Sequence, residues 1–283
     1  MPEGDTVWLT ARRLDRALSG RELTVAELRV PQLATAELRG RVVLEVVPRG
    51  KHLMIRLHGR GDAGGLTLHS HLRMDGSWYL CRSGERPRGH PAHMIRAQLG
   101  NSEWLATGYR VHDLQLVPTD REDDLVGHLG PDLLGPGWDA TEAKRRLRLD
   151  PGRPIAEALL DQRNLAGIGN LYKSEVLFIE RINPWTPVAG VDDLDGVVAT
   201  AHRLLDANRE HPEQSTTGSL ARGQQHWVYQ RQGQPCRRCR TAIRRAEQAD
   251  RDQPSRQRST YWCPSCQPSL SSPDPDADAS PRR

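Results

Sequence analysis

Apolar residues recur every three to four positions at the start of the chain: Val7, Ala11, Leu14 and Leu18 fall on one stripe, behind Asp5 or Thr6 as N-cap and ahead of Gly20. This spacing predicts an amphipathic helix over 5–18. The period then drops to two. The runs RVVLEVVP, KHLMIRL, LTLHSHL, GSWYL, HMIRAQL, EWLAT and DLQLV follow one another, separated by Gly, Pro, Asn and Asp clusters. They predict a succession of short strands, and so a β-sandwich or barrel up to about Pro118.

Beyond the acidic stretch TDREDD, read as a linker, the pattern becomes helical. The segments DDLVGHL, DATEAKRRLR, PIAEALLDQ, NLYKSEVLFIERI and DLDGVVATAHRLLDAN each suit a helix, and Asp139 and Glu142 stand at capping-box spacing. Between the third and fourth lies RNLAGIGN, a glycine-punctuated turn that delivers Asn170 to the start of a helix. The unpaired N–H groups there could seat a phosphate; a plain turn between packed helices fits the same residues. The last segment, SSPDPDADASPRR, has no apolar periodicity and reads as a disordered tail.

Composition adds bounds to this outline. With 283 residues, 36% of them hydrophobic and 27% charged, the chain can bury a sizeable core beneath a heavily ionised surface. No apolar run approaches the ~20 residues that span a bilayer. Glu3 and Asp5 stand where a secretory signal would be basic, so a cytoplasmic protein without membrane contacts is expected. The net charge is only +4, but nine arginines fall between Gln230 and Trp262 against three acids and no lysine. Such a block is either a solvated linker or a phosphate-binding surface suited to planar guanidinium groups.

The cysteines favour an ordered structure for that block. Cys236 and Cys239 form one C-x2-C pair and Cys263 and Cys266 another, with 23 residues between them. In a cytosolic chain this pattern reads as a tetrahedral four-thiolate site for one structural Zn2+, the alternative being redox dithiols or disulfides. The ion would fold a short, arginine-rich hairpin that cannot bury a core of its own. Cys81, alone in a strand, reads as a small core hydrophobe. His69 and His71 share a strand face and His90 and His93 follow, but no carboxylate or cysteine stands at metal-ligand spacing, so they read as ordinary polar side chains.

Four separated pieces, MPEG at the start, RGKHL around Lys51, LAGIGN before a helix, and RSTYWC leading into the second cysteine pair, together resemble the family of bifunctional DNA glycosylases that contains formamidopyrimidine-DNA glycosylase and endonuclease VIII. The resemblance runs in order to about Pro268. It implies a multidomain α and β protein: a catalytic β-sandwich with an N-terminal helix (1–119), a helix-two-turn-helix DNA-binding domain (120–225) and a four-cysteine zinc finger (226–268), followed by the tail (269–283). It also implies damaged DNA as partner, bound between the lobes, and roles for individual residues. Removal of Met1 would leave Pro2 a secondary amine, with a pKa of ~7.7 to 8.0 rather than the ~10.4 of lysine, able to attack the deoxyribose C1′. Glu3 matches the acid-base residue, Lys51 the catalytic lysine, and Asn170 and Arg258 the phosphate-binding pair. Met74 stands where the family places the side chain that fills the gap left by an extruded base, with Arg73 as its helper.

The opening MPEGDT is closer to the endonuclease VIII branch than to the MPELPE opening of the formamidopyrimidine branch, and GYRVHDL replaces the latter's Arg-Phe-Gly loop. The interval between cysteine pairs is longer than is usual in the family. The expectation is therefore a monomeric base-excision-repair glycosylase and AP lyase, with no organic cofactor, that removes oxidised pyrimidines through an N-terminal proline Schiff base and cleaves by β,δ-elimination. The alternatives are a formamidopyrimidine/8-oxoguanine-type glycosylase, and a non-catalytic protein that recognises damaged DNA through phosphate contacts.

Overall fold

The structure, a computed structural model, describes residues 2–59, 64–87, 90–249 and 257–269. Helix α1 (Gly4–Leu18) leads, then β1 (Val25–Leu28), β2 (Val43–Arg49), β3 (His52–Leu57), β4 (Leu66–His71), β5 (Ser77–Arg82), β6 (Ile95–Gly100), β7 (Trp104–Tyr109) and β8 (Asp113–Pro118). Within the described residues the strands make two four-stranded antiparallel sheets, in the orders β1-β6-β7-β5 and β2-β3-β4-β8. Val7, Ala11, Leu14 and Leu18 of α1 join Val46, Leu53, Ile55, Leu68, Leu99 and Ala106 in one core, as the apolar stripe requires.

Two expectations change here. Strand β1 escapes the period-two reading because only Leu28 of its four residues is buried. The TDREDD stretch is an anchored turn that leads into the short helix α2 (Asp123–Val126). Glu122 accepts both ends of the Arg56 guanidinium at 2.8 and 2.7 Å and a bond from the Thr67 hydroxyl, which fastens the segment to β3 and β4.

The second lobe comprises α3 (Ala140–Leu147), α4 (Ile155–Leu160), α5 (Asn170–Ile179) and α6 (Leu194–Asn208) around Leu159, Ile168, Tyr172, Val176, Val197 and Leu205. Asp139 caps α3 by accepting from the N–H groups of Thr141 and Glu142. The capping box is half made, because the Glu142 carboxylate turns to Arg145 and Arg146 instead of reaching back. The chain ends in a hairpin, β9 (Arg244–Ala249) against β10 (Gln257–Trp262), seated on Phe178 and Val228. The tail beyond residue 269 lies outside the described residues. Met54 of β3, Val126, Leu129 and Ala166 make a small apolar seam between the lobes. No described helix is long and apolar enough to cross a membrane.

Candidate active site

Glu3 organises the site. It precedes the first turn of α1 in extended backbone, but its side chain turns away to the N-terminus of α5. There Oε2 accepts the Gly169 N–H at 2.7 Å and Oε1 the Leu171 N–H at 2.8 Å. Unpaired N–H groups and the helix dipole suit a carboxylate at this place. These donors, which the sequence reading offered to a phosphate, are taken by the protein's own acid. Gly169 is required by the close approach: a Cβ there would stand 2.5 Å from the Glu3 carboxyl carbon. Glu3 is fully buried, and burial pushes its pKa above the ordinary carboxylate range against the opposing pull of Lys51 and the two N–H donors. A carboxyl in that condition can hold or release a proton closer to neutrality.

Pro2, Lys51, Arg73, Met74, Asn170 and Arg258, all singled out from sequence, line one cleft of about 380 Å³ between the lobes. Lys51 is carried on the β2–β3 turn. Gly50 has φ +58°, its N–H donates to Asp132 Oδ2 at 2.8 Å, and a Cβ would come within 2.9 Å of Ala166 Cβ, so the turn is pinned to the helical lobe. Met74 is 58% exposed on the β4–β5 turn, so it is not a core methionine. Arg73 beside it adopts a left-handed φ of 53°, unusual for a residue with a side chain, and pairs with Asp113.

His71 and Lys173 are among the cleft residues that the sequence reading did not place there. His71 lines the cleft, and its Nδ1 accepts the Arg73 N–H at 3.0 Å. Burial, then Arg73 and Lys51, push its pKa down to about 4, so the ring is neutral with its proton on Nε2. Lys173 is fully buried in the wall, where its Nζ donates to Asn170 Oδ1 and to Thr260 Oγ1, each at 2.8 Å. The signal for His71 was KHL and HSH on successive strands: antiparallel register sets His52 opposite His71 and completes a histidine cluster. The His52 and His69 ring nitrogens are 2.7 Å apart, the His52 and His71 rings 5.0 Å, and His128 closes the group at 6.4 Å. Nothing in the sequence around Lys173 marks it, because its partner Thr260 lies on the distant hairpin.

The arginine block divides. Arg231 bonds the carbonyls of Trp227 and Pro235, Arg237 those of His226 and Gly223, and Arg238 that of Phe178 while lying 4.4 Å over its ring. Arg245 pairs with Glu247. Arg238 thus ties the knuckle to α5, Arg231 and Arg237 brace the segment leading into it, and Arg245 is held within the hairpin. Among the described residues of the block, Arg258 alone lines the cleft, and residues 250–256 fall outside the description.

The Sγ atoms of Cys236, Cys239, Cys263 and Cys266 all lie within 4.8 Å of one another, Cys239 to Cys263 at 3.4 Å and Cys236 to Cys266 at 3.9 Å. Four metal–sulfur bonds of ~2.3 Å in a tetrahedron set sulfurs ~3.8 Å apart, so the set fits one closed metal centre with no position left for chemistry. Cys81 sits half-buried on β5, where its thiol lies 3.8 Å from the carbonyls of Glu85 and Leu105.

Comparisons with known proteins match the chain part by part. Residues 1–111 match the formamidopyrimidine-DNA glycosylase N-terminal domain, 129–214 the formamidopyrimidine-DNA glycosylase H2TH domain, and 233–268 the zinc finger found in FPG and IleRS. The chain is 54% identical over 269 residues to a probable endonuclease 8 2 of Streptomyces coelicolor, covering 94% of each chain. It is 45% identical to the DNA-(apurinic or apyrimidinic site) lyase Nei2 of Mycolicibacterium smegmatis, over 94% of this chain and 99% of that one. The fold also matches that of Lactococcus lactis Fpg in complex with abasic-site DNA, with a TM-score of 0.74, 24% identity, and coverage of 94% and 100% of the two chains. With its three parts matched in order and its relatives matched over nearly their whole length, the chain belongs to the formamidopyrimidine-DNA glycosylase family, on its endonuclease 8 side.

Proposed function

We propose that this protein is a base-excision-repair DNA glycosylase and AP lyase that removes oxidised pyrimidines through a Schiff base on Pro2. The observation that carries the proposal is Glu3, buried against the N-terminus of α5 directly after Pro2, which itself lines a cleft with Lys51, Met74, Asn170 and Arg258. Once Met1 is removed, the Pro2 nitrogen attacks C1′ of the damaged nucleotide and the base leaves. The resulting iminium is cationic without a proton and draws electrons from the C2′–H bond, so the 3′ phosphate and then the 5′ phosphate depart. Glu3, with its raised pKa, protonates the opening sugar and takes protons back between steps. Lys51 serves the phosphate or the leaving group, and Asn170 and Arg258 grip the backbone. Met74, exposed beside the cleft, fills the gap left by the extruded base, with Arg73 alongside. The four cysteines would hold a single structural Zn2+, which orders the hairpin carrying Arg258.

Pyrimidine preference rests on the opening residues and on the GYRVHDL loop. It gains support from the chain's single phenylalanine, Phe178, which is buried against Trp227 at 5.7 Å between rings and is out of reach of a DNA base. The partition at 119/120, 225/226 and 268/269, a monomeric state and a cytoplasmic location belong to the same proposal, the first boundary being supported by separate apolar cores in the sandwich and the helical lobe.

A panel of duplexes carrying one lesion each tests the function. Thymine glycol and 5-hydroxyuracil strands should be cut to fragments ending in 3′ and 5′ phosphates, at least ~10-fold faster than an 8-oxoguanine strand, a margin of about 1.4 kcal/mol in barrier. A preference for 8-oxoguanine would overturn the substrate reading, and binding without any cutting would overturn the enzyme reading.

A further inference from the structure

Lys173 is an ammonium group in the wall of the cleft that the proposed chemistry leaves unused. It is fully buried on the first turn of α5. A charged lysine can only donate, so the 2.8 Å bond to Asn170 makes that amide present Oδ1 inward. The Nδ2 group then donates one hydrogen to the Ser259 carbonyl at 2.7 Å and keeps a second hydrogen to offer. The other bond of Lys173, to the Thr260 hydroxyl, continues through Thr260 to Gln248 Oε1 at 3.0 Å, so one chain of bonds joins α5 to both strands of the hairpin.

The charges facing Lys173 come from four parts of the fold: Glu3 from the N-terminus, Glu157 from α4, Glu247 from β9 and Arg258 from β10. All three acids are already engaged, Glu3 by backbone N–H groups, Glu247 by Arg245, and Glu157 by Gln248 and Arg153. We propose that Lys173 is a positioning residue that fixes Asn170 as a phosphate donor, and that binding of a DNA phosphate in this cleft is coupled to protonation of Lys173. The inference rests on the reading of Asn170 and Arg258 as phosphate contacts.

The coupling has a definite sign. Burial, and secondarily Arg258, pull the Lys173 pKa down to about 7, so near neutrality part of the population lacks the proton. A phosphate beside the amine favours the charged form and raises its pKa in the complex. Binding therefore takes up a proton, and affinity falls as pH rises above 7 until the pKa of the complex is passed.

Equilibrium binding of a duplex carrying a tetrahydrofuran abasic analogue, measured from pH 6 to 9 at fixed ionic strength, tests this. Wild-type affinity should be level below pH 7 and fall by up to ~10-fold per pH unit above it. K173R, which stays charged, should bind like the low-pH wild type with the slope abolished. K173M should bind ~10- to 100-fold more weakly at pH 6, the loss of a charge-assisted contact, and also without the slope. Thermal unfolding of each variant checks the fold, and K173R carries the test if K173M fails to fold. A wild-type profile that is flat, or a K173R profile that keeps the wild-type slope because the Pro2 amine or His71 titrates instead, overturns the proposal. Borohydride trapping on a true abasic duplex separates the two readings: no adduct with the pH slope intact sinks the Pro2 nucleophile and supports the Lys173 coupling.

Discussion

Glu3 is held by two backbone N–H groups, and its environment makes single-atom changes measurable. Gly169→Ala would drive a methyl group into the buried Glu3 carboxyl group, which must shift to make room. The expected cost is about 1–3 kcal/mol in denaturant unfolding, with incision reduced at least ~100-fold as the acid is displaced. An unchanged rate would mean that Glu3 does not act where it is seen. The nucleophile predicts a pH dependence of its own. Single-turnover incision at saturating enzyme should rise with pH through ~7.7 to 8.0 as the Pro2 amine loses its proton. That is opposite in sign to the binding trend expected from Lys173, so rate and affinity must be measured separately.

The hairpins are the elements that carry DNA contacts in this account. Met74 stands exposed on the β4–β5 turn, so Met74→Ala should leave unfolding within about 0.5 kcal/mol of wild type. It should nonetheless slow excision from duplex about 10-fold, and from single strands much less, because only a duplex has a gap to fill. Equal losses on both substrates would contradict the wedge role. The β9–β10 hairpin depends on its thiolates: a strong chelator should release one zinc per chain and abolish phosphate binding at Arg258 while the sandwich stays folded, as near-UV and far-UV circular dichroism can follow. Strands were the most legible elements because alternation and glycine or proline boundaries mark a half-buried sheet. Strand β1 was not, since it buries one residue of four, and TDREDD passed for a linker because the Glu122 to Arg56 pair that anchors it joins distant positions.

The whole molecule is two lobes and a hairpin clasped around one cleft, and its stability should reflect the histidines at the clasp. His52 and His71 titrate near 6.5 in an unfolded chain but at about 3 and about 4 in the fold, where burial favours the neutral rings. Below pH 6.5 the unfolded state therefore binds more protons, and stability falls with falling pH by up to about 1.4 kcal/mol per unit for each ring. His52→Gln should flatten this acid limb in thermal unfolding between pH 6.5 and 4; an unchanged slope would mean that the cluster is not titrating. At this scale the sequence was least informative about function. Pro2 and Glu3 are neighbours in the chain and were readable together, as were the paired cysteines. Lys173 and the clasp of Glu3 on α5 arise only when residues 87 and 166 positions apart are folded against one another, and His71 only when β3 and β4 pair.

The central claim is that the Pro2 amine forms the covalent bond to DNA. Borohydride reduction of the protein on an abasic duplex, followed by peptide mapping, tests it most directly. One adduct per chain is expected, on Pro2, lost in Pro2→Gly and in protein that retains Met1, with DNA binding largely intact in both. An adduct on Lys51 or Lys173, or an undiminished adduct in protein that keeps its initiator methionine, would contradict it.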